Sequence, residues 1–380
     1  MLRGIRLLSA LGCVLGTMLL CACNSGSGTS CNGCTATSTI LYSAAPGQIA
    51  GYPVQVNGTL GAPTYFLNAP STSYAFTATP KSHFLYQTKY STSLLWGYAI
   101  NGSLPGGPLT AVPNAPFNLG NGSTSAVGIA ITPSGSTLYA SDRSGFIAGY
   151  NIHTGSGSLT VLPNSPFAIG DQPYYLAIDP AGKFLYANDP SGNVLAYAID
   201  AADGSLAAVA GSPFALASNS SPQNLTVDAS GKYLYVALAN AAAIAGFSLD
   251  STTGAVTPVK GSPFQAGSHP RALTATAGGF LYVVNSKDNT IGTYKINDGG
   301  SLTAASGSPF SIPAPTSPAG LSYPGSIVVD ITGKFLWLGA PQAADLVSYS
   351  IDPGSGTLTF QGLTPLTANP GPINLAIYAP

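Results

Sequence analysis

The sequence predicts an all-β fold, a seven-bladed β-propeller of four-stranded antiparallel blades with the first blade closed by the C-terminal strand. Three observations predict it. The first is composition. Only 7% of the 380 residues are charged and all thirteen acids are Asp, where roughly a quarter charged is usual. Helix surfaces are built from Glu, Lys and Arg, so their scarcity argues against helices. The 45% of hydrophobic residues and 20 Tyr exclude a disordered chain, and 46 Gly with 31 Pro supply many turns. The second is an internal repeat. A Leu followed by Tyr or Trp recurs at 41–42, 85–86, 138–139, 185–186, 234–235, 281–282 and 336–337. In phase with it run Tyr52, Tyr98, Tyr150, Tyr197, Phe247, Tyr294 and Tyr349, and Pro-Phe pairs from Pro116-Phe117 to Pro309-Phe310. A period of about 50 residues marks a propeller blade or a similar repeat. The third is the pair of ends. The first unit opens at Thr39 on its second strand, and the chain closes on Ile373–Tyr378, a first strand without a blade. Joining them removes the two exposed edges of an open array.

One unit shows the local physics. Tyr174 to Asp179 alternates as a strand does. Pro180-Ala181-Gly182-Lys183 turns, because Pro presets its backbone angle and Gly accepts positive ones. Phe184 to Asn188 is a second strand, Asp189-Pro190-Ser191-Gly192 a turn, Val194 to Asp200 a third strand, Asp203-Gly204 a turn and Leu206 to Ala210 a fourth strand. A longer loop through Ser212-Pro213-Phe214 leads to the next unit. Asp179, Asp228 and Asp330 recur four residues before Lys183, Lys232 and Lys334, as turn residues that accept backbone hydrogen bonds.

Three segments follow: a signal peptide over 1–22, a Ser/Gly-rich tether over 23–38 and the propeller over 39–380. Arg3 and Arg6 precede an apolar run from Leu7 to Leu20, the layout of a secretory signal and too short to span a bilayer comfortably. Leu20-Cys21-Ala22-Cys23 resembles the bacterial lipobox. The resemblance implies cleavage before Cys23 and a lipid on its thiol; an ordinary signal peptide cut nearby is the alternative. The expected address is therefore an exported lipoprotein at the membrane, and Asn24 in place of Asp leans towards the outer one. Cys31 and Cys34 are the remaining pair, and a small local disulfide suits an oxidising compartment. Thr35 follows instead of His, so this is no haem attachment. No metal site or cofactor is expected. Without Arg3 and Arg6 the chain has 10 bases against 13 acids, net −3, so no nucleic acid is expected as partner. A monomer is expected.

Leu281-Tyr282-Val283-Val284-Asn285 with Asn289-Thr290-Ile291-Gly292-Thr293-Tyr294 is similar to the YVTN-type repeat. Together with His269-Pro270-Arg271 it resembles the seven-bladed lactonase family, which includes 6-phosphogluconolactonases and carboxymuconate-lactonising enzymes. The resemblance covers about Thr39 to Pro380. The family pattern has Pro-Arg-His entering the innermost strand and Asn-Glu after the following one. Pro270-Arg271 and Asn285 match, while Ala272 stands at the His position and Ser286 at the Glu position.

Strand alternation puts the loops between second and third strands on the same face as the loops between blades. Charges there do not recur: Lys89, Asp142, Arg143, Asp171, Asp189, His269, Arg271, Lys287, Asp288 and Asp345. Loops on a rigid scaffold usually carry function. The catalytic candidates are Arg271, whose fork grips a carboxylate or stabilises an oxyanion, and His269 as a base. Asp171, Asp189, Lys287, Asp288, Asp142 and Arg143 are the candidate ligand-binding set. A surface Arg paired with an Asp such as Asp288 is the structural alternative for Arg271. The sequence thus predicts a propeller that binds a small molecule or an envelope protein at the top of its channel. Lactone hydrolysis by Arg271 with His269 or a channel Asp is one alternative, and a docking scaffold is another.

Overall fold

Each Leu-Tyr marker lies in the second strand of a sheet covered on both faces by neighbouring sheets. There the alternation of a half-exposed strand gives way to a continuous apolar run. Leu41, Leu85, Leu138, Leu185, Leu234, Leu281 and Leu336 are all fully buried, as are the aromatics that follow them. The computed structural model describes residues 39–380 apart from 46, 64, 69–72, 81, 90–91, 102–107, 121–124, 314–325, 341–344, 367–372 and 380. The expected signal peptide, tether, lipidated Cys23 and Cys31–Cys34 pair lie outside the described residues.

Seven antiparallel sheets form, with second strands Ile40–Ala45, Phe84–Lys89, Thr137–Asp142, Phe184–Asn188, Tyr233–Leu238, Phe280–Asn285 and Phe335–Ala340 for blades 1 to 7. The innermost strands of blades 2 to 7 are Ser73–Ala78, Ala126–Ile131, Leu176–Ile178, Pro222–Val227, Pro270–Ala275 and Ser326–Val329. The innermost strand of blade 1 is Asn374–Tyr378, from the other end of the chain. It pairs antiparallel with Ile40–Ala45 in the register Leu41↔Ile377 and Ser43↔Leu375. The tail closes the first blade as the ends of the sequence predict. Consecutive innermost strands touch around a complete circle, so their leading residues gather at one axial mouth.

The Pro-Phe segments differ from expectation. They read as part of a longer loop, yet Phe117–Asn118, Phe167–Ala168, Phe214–Ala215, Phe264–Gln265 and Phe310–Ser311 return to pair with the third strand, adding a short fifth strand to blades 2 to 6. The Pro lets the Phe turn back into the sheet, where Phe167 sits opposite Ile147 and Phe310 opposite Ile291. In blade 7 one long strand, Leu358–Pro365, runs beside the whole of Asp345–Ile351 instead.

The recurring Tyr has a second task besides packing. Tyr86, Tyr139, Tyr186, Tyr235 and Tyr282 each donate to the carbonyl of a turn glycine in the next blade: Gly157, Gly204, Gly254, Gly300 and Gly356. Trp337 Nε1 does the same to Gly58 across the seam where the chain ends meet, at 2.9 Å. Each bond contributes about 1 kcal/mol net. Gly254 shows why the partner is glycine: its φ is left-handed, at +75°, and an added Cβ would fall 2.3 Å from the Phe184 ring. The turn Asp residues behave as predicted. Asp179 accepts from the backbone N–H of Ala181, Lys183 and Phe184, the last at 2.6 Å.

Candidate functional site at the axial mouth

Side chains at the end of the second strand weave the mouth together on one side. Thr88 Oγ1 accepts from Ala75 N in its own blade and donates to Val127 O in the next, at 3.1 and 3.0 Å. Ser141 Oγ accepts from Gly128 N at 2.8 Å and donates to Tyr174 O. Asn188 takes Tyr175 N at 3.1 Å and gives to Gln223 O at 2.6 Å. These three bridges hold the first strands of blades 2, 3, 4 and 5 in fixed register. Gly128 makes the approach possible: a Cβ there would lie 2.3 Å from Tyr174 O.

Three tyrosines stand on this weave. Tyr174 and Tyr175 lead into the first strand of blade 4, their rings 5.4 Å apart. Tyr74, from blade 2, reaches past blade 3 to both, at 6.1 and 6.3 Å, and the phenols of Tyr174 and Tyr175 hydrogen-bond with its own. Burial, then these neighbouring phenols, push the Tyr74 phenol far up. Arg143, at the tip between second and third strands of blade 3, lies over the Tyr174 ring with its guanidinium carbon 5.1 Å from the centroid. That cation–π contact is worth about 1 kcal/mol when partly exposed. On the other side Arg271, second residue of the innermost strand of blade 6, is near enough to pull the Tyr175 phenol down against the larger rise caused by burial.

The predicted residues fall into three groups. Blade 6 gathers Arg271, His269, Lys287 and Asp288. His269 has φ +56°, and Ser286 holds it, donating from N and Oγ to its carbonyl at 3.1 and 2.9 Å with Oγ 3.3 Å from Nδ1. Burial, then the charges of Lys287 and Arg271, lower the His269 pKa. Asp288 does not partner Arg271; its Oδ2 accepts Ser268 N at 2.6 Å. Blade 3 holds Asp142 and Arg143. Asp142 is fully buried and accepts Ser125 N and Ser144 N. Asp171 and Asp189 lie by blade 4, around Tyr197, whose phenol burial and these charges push up to about 12. Asp189 is 1% exposed and takes both Asn193 N and Asn193 Nδ2. Among the described residues no cluster of three His, Cys or Asp is placed to hold a metal ion. Sequence reasoning missed Tyr74, Tyr174 and Tyr175, which are out of phase with the repeat. It named Arg143 without its importance. Rarity was the signal: Arg143 and Arg271 are the only two Arg after Arg6.

The sequence profile described as Lactonase, 7-bladed beta-propeller matches residues 104–218 and 259–376, more than half of the chain. The chain belongs to this family. No curated protein sequence matches it. Among solved structures it is similar to a periplasmic gluconolactonase of Pseudomonas aeruginosa, at 18% identity and TM-score 0.70, covering 90% of this chain and 100% of that one. A putative 6-phosphogluconolactonase of Bacteroides fragilis gives 16% identity and TM-score 0.72, covering 91% and 99%. A virginiamycin B lyase of Staphylococcus aureus gives 18% and 0.54, covering 78% and 85%. At these identities the likeness is one of fold. Within the lactonase pattern, the position of the His is filled by Ala272, 2% exposed and packed in an apolar cluster with Phe280, Tyr282 and Ile291. At the position of the Glu stands Ser286, its hydroxyl engaged with His269.

Proposed function

We propose that this lactonase-family propeller is a binding protein whose axial mouth holds a small anionic molecule on Arg271 without turning it over. The observation that carries the reading is that Arg143 lies over the Tyr174 ring and the charge of Arg271, at the start of an innermost strand, acts on Tyr175, while Asp142, Asp189 and Asp288 are engaged by backbone and amide donors. A guanidinium without a competing carboxylate is a ready fork for a carboxylate or phosphate. The absent His and Glu of the family pattern remove its acid–base pair, and an aliphatic methyl at Ala272 cannot move a proton.

The test is a thermal-shift screen of the purified protein against sugar acids, sugar phosphates and lactones, with Arg271→Ala beside the wild type. A rise in Tm that Arg271→Ala abolishes supports the site; no anion raising Tm sinks it. A second reading, lactone hydrolysis, is favoured by one observation: His269 is kept neutral close to Arg271. A pH-stat assay that shows lactone opening lost in His269→Gln would establish it. We also propose that the protein is exported and lipid-anchored through Cys23, on the strength of the apolar run and Leu20-Cys21-Ala22-Cys23. Labelling cells with a clickable fatty acid tests this: the label is expected in the wild type and absent in Cys23→Ser.

A further inference from the structure

We infer that the ring carries one soft seam, between blade 1 and blade 2, at which the propeller opens sideways into its axial channel. The observation behind it is a file of six buried polar atoms along this interface that have no hydrogen-bond partner: Tyr42 Oη, both amide atoms of Gln87, Trp96 Nε1, Tyr98 Oη and Tyr378 Oη. Only five other such atoms occur among the described residues, spread over blades 3, 5, 6 and 7.

Register puts these groups on one shared face. Phe76, Gln87 and Trp96 stand opposite one another on three neighbouring strands of blade 2, and Leu85 stands opposite Tyr98. Directly opposed residues point to the same side of a sheet. Phe76, Leu85 and Tyr98 share an apolar cluster with Tyr42 and Tyr378 of blade 1, and Trp96 packs against it. That side of blade 2 therefore faces blade 1.

The repeat explains why the seam is unsatisfied. Elsewhere the phenol of the third strand reaches back to the fifth strand of the preceding blade. Tyr150 donates to Asn118 O at 2.6 Å, Tyr294 to Gln265 O at 3.1 Å and Tyr349 to Ser311 O at 3.3 Å. The Pro-Phe series begins only at Pro116 and blade 1 has four strands, so Tyr98 meets no such carbonyl. Tyr42 is the blade 1 counterpart of the clasping aromatics, and among the described residues it alone of the series has no acceptor. At the position of Gln87, blades 3 to 7 carry Ala140, Ala187, Val236, Val283 and Leu338, which need no partner.

Buried amide and hydroxyl groups without partners cost free energy, and water returns it when the faces part. Opening at this seam is thus cheaper than at the six clasped ones, the condition for a local opening below global unfolding. Blade 2 stays with blade 3 through Tyr86 and Thr88, and Asn374–Tyr378 stays with blade 1. The strands that separate, Asn374–Tyr378 and Ser73–Ala78, are both innermost, so the gap breaches the channel wall beside Tyr74.

The two Trp of the chain test the inference, since Trp96 sits in the soft seam and Trp337 in a clasped one. In the full protein with Trp337→Phe, Trp96 emission is expected to redden, and its quenching by acrylamide to rise about twofold, at urea concentrations below the main transition seen by circular dichroism. With Trp96→Phe, Trp337 is expected to change only in that transition. Gln87→Leu, the residue type of blade 7, is expected to raise the Tm of the otherwise unaltered protein by about 2 °C and, in the Trp337→Phe background, to remove the early change at Trp96. Trp96 changing only in the main transition, or Trp337 changing as early as Trp96, overturns the inference. So does Gln87→Leu lowering Tm or leaving it unchanged, which would mean that the amide is bonded, as by a buried water, and that the seam is held. This last measurement decides even where Trp337→Phe does not fold.

Discussion

The two sides of the mouth solve the same packing problem with different chemistry. At the third residue after the recurring Leu, blades 2, 3 and 4 carry Thr88, Ser141 and Asn188, and each bridges two first strands. Blades 5, 6 and 7 carry Ala237, Val284 and Gly339 there, all set in apolar surroundings or against Ile373. The acids divide likewise. Asp142 and Asp189 are buried and satisfied. Asp345 in blade 7 is 4% exposed, and its Oδ2 has no hydrogen-bond partner. The difference teaches that the repeat fixes the ring but not the mouth. The woven side is where the tyrosines stand, and a hydrogen-bonded network orients a ligand surface better than dispersion contacts do.

The comparison breaks most visibly at its glycines. Gly128→Ala places a Cβ 2.3 Å from the Tyr174 carbonyl and 2.6 Å from Ser141 Oγ. A backbone carbonyl held by Ser141 cannot yield locally, so the first strands must part, at about 3 kcal/mol, with loss of anion binding. Gly339→Ala meets Cβ and Cγ2 of Ile373 at 2.9 Å and its carbonyl at 3.3 Å, so the backbone at Ile373 must give by a smaller amount than at Tyr174, and the change is expected to cost about 2 kcal/mol. Chemical denaturation midpoints compare them; equal losses would mean that the weave adds no rigidity.

Next in size is Asn188→Ala. It strands Tyr175 N and Gln223 O in a buried seam, and unpaired groups of this kind cost about 2 kcal/mol. The same substitution loosens Tyr175, so anion affinity is expected to fall along with stability. Affinity unchanged at reduced stability would separate the weave from the site.

Asp345→Asn and Asp189→Asn should move in opposite directions. Burial raises the Asp345 pKa in the folded state. The stabilising protonated form is fully present below the ordinary carboxylate value of about 3.9 and is lost as pH rises through the raised folded value. The ionised carboxylate is poorly solvated there, so Asp345→Asn is expected to raise Tm at neutral pH, the gain shrinking towards pH 4. Asp189→Asn turns an acceptor of Asn193 N and Asn193 Nδ2 into a mismatched amide and is expected to lower Tm. Thermal melts at pH 4 and 7 check both signs.

Much of this ring is legible before any coordinates. Leu-Tyr recurs because one buried position and one clasp to a neighbouring glycine recur, and Trp337 keeps the clasp with an indole in place of a phenol. The closing strand is legible because a period cut at both ends leaves matching remnants. The fifth strand is not, since two residues such as Phe167-Ala168 are too few to show a period. The weave hides for another reason: Thr88, Ser141 and Asn188 share a task but no residue type, and their counterparts in blades 5 to 7 have lost it. Tyr74, Tyr174 and Tyr175 are hidden among 20 Tyr, most of which serve the sheets. Arg271 stands out through its neighbours in sequence, whereas Arg143 stands out only by rarity.

The smallest expected effect separates the two functional readings. Burial, then Lys287 and Arg271, lower the His269 pKa in the folded protein, so the ring is neutral at pH 7. Its contribution to stability is present above the ordinary value of about 6.5 and is lost as pH falls through the lowered folded value. Protonation adds a positive charge beside Arg271. If the mouth only binds, anion affinity should rise as pH falls through the lowered folded value, by less than about threefold because the site is open to solvent and salt. His269→Gln should flatten that rise without abolishing binding. If His269 is instead the base of a hydrolase, turnover needs the neutral ring and must fall over the same interval. Affinity and lactone opening measured on one pH series therefore point in opposite directions, and a fall in both would favour the catalytic reading of blade 6 over the binding reading of the woven side.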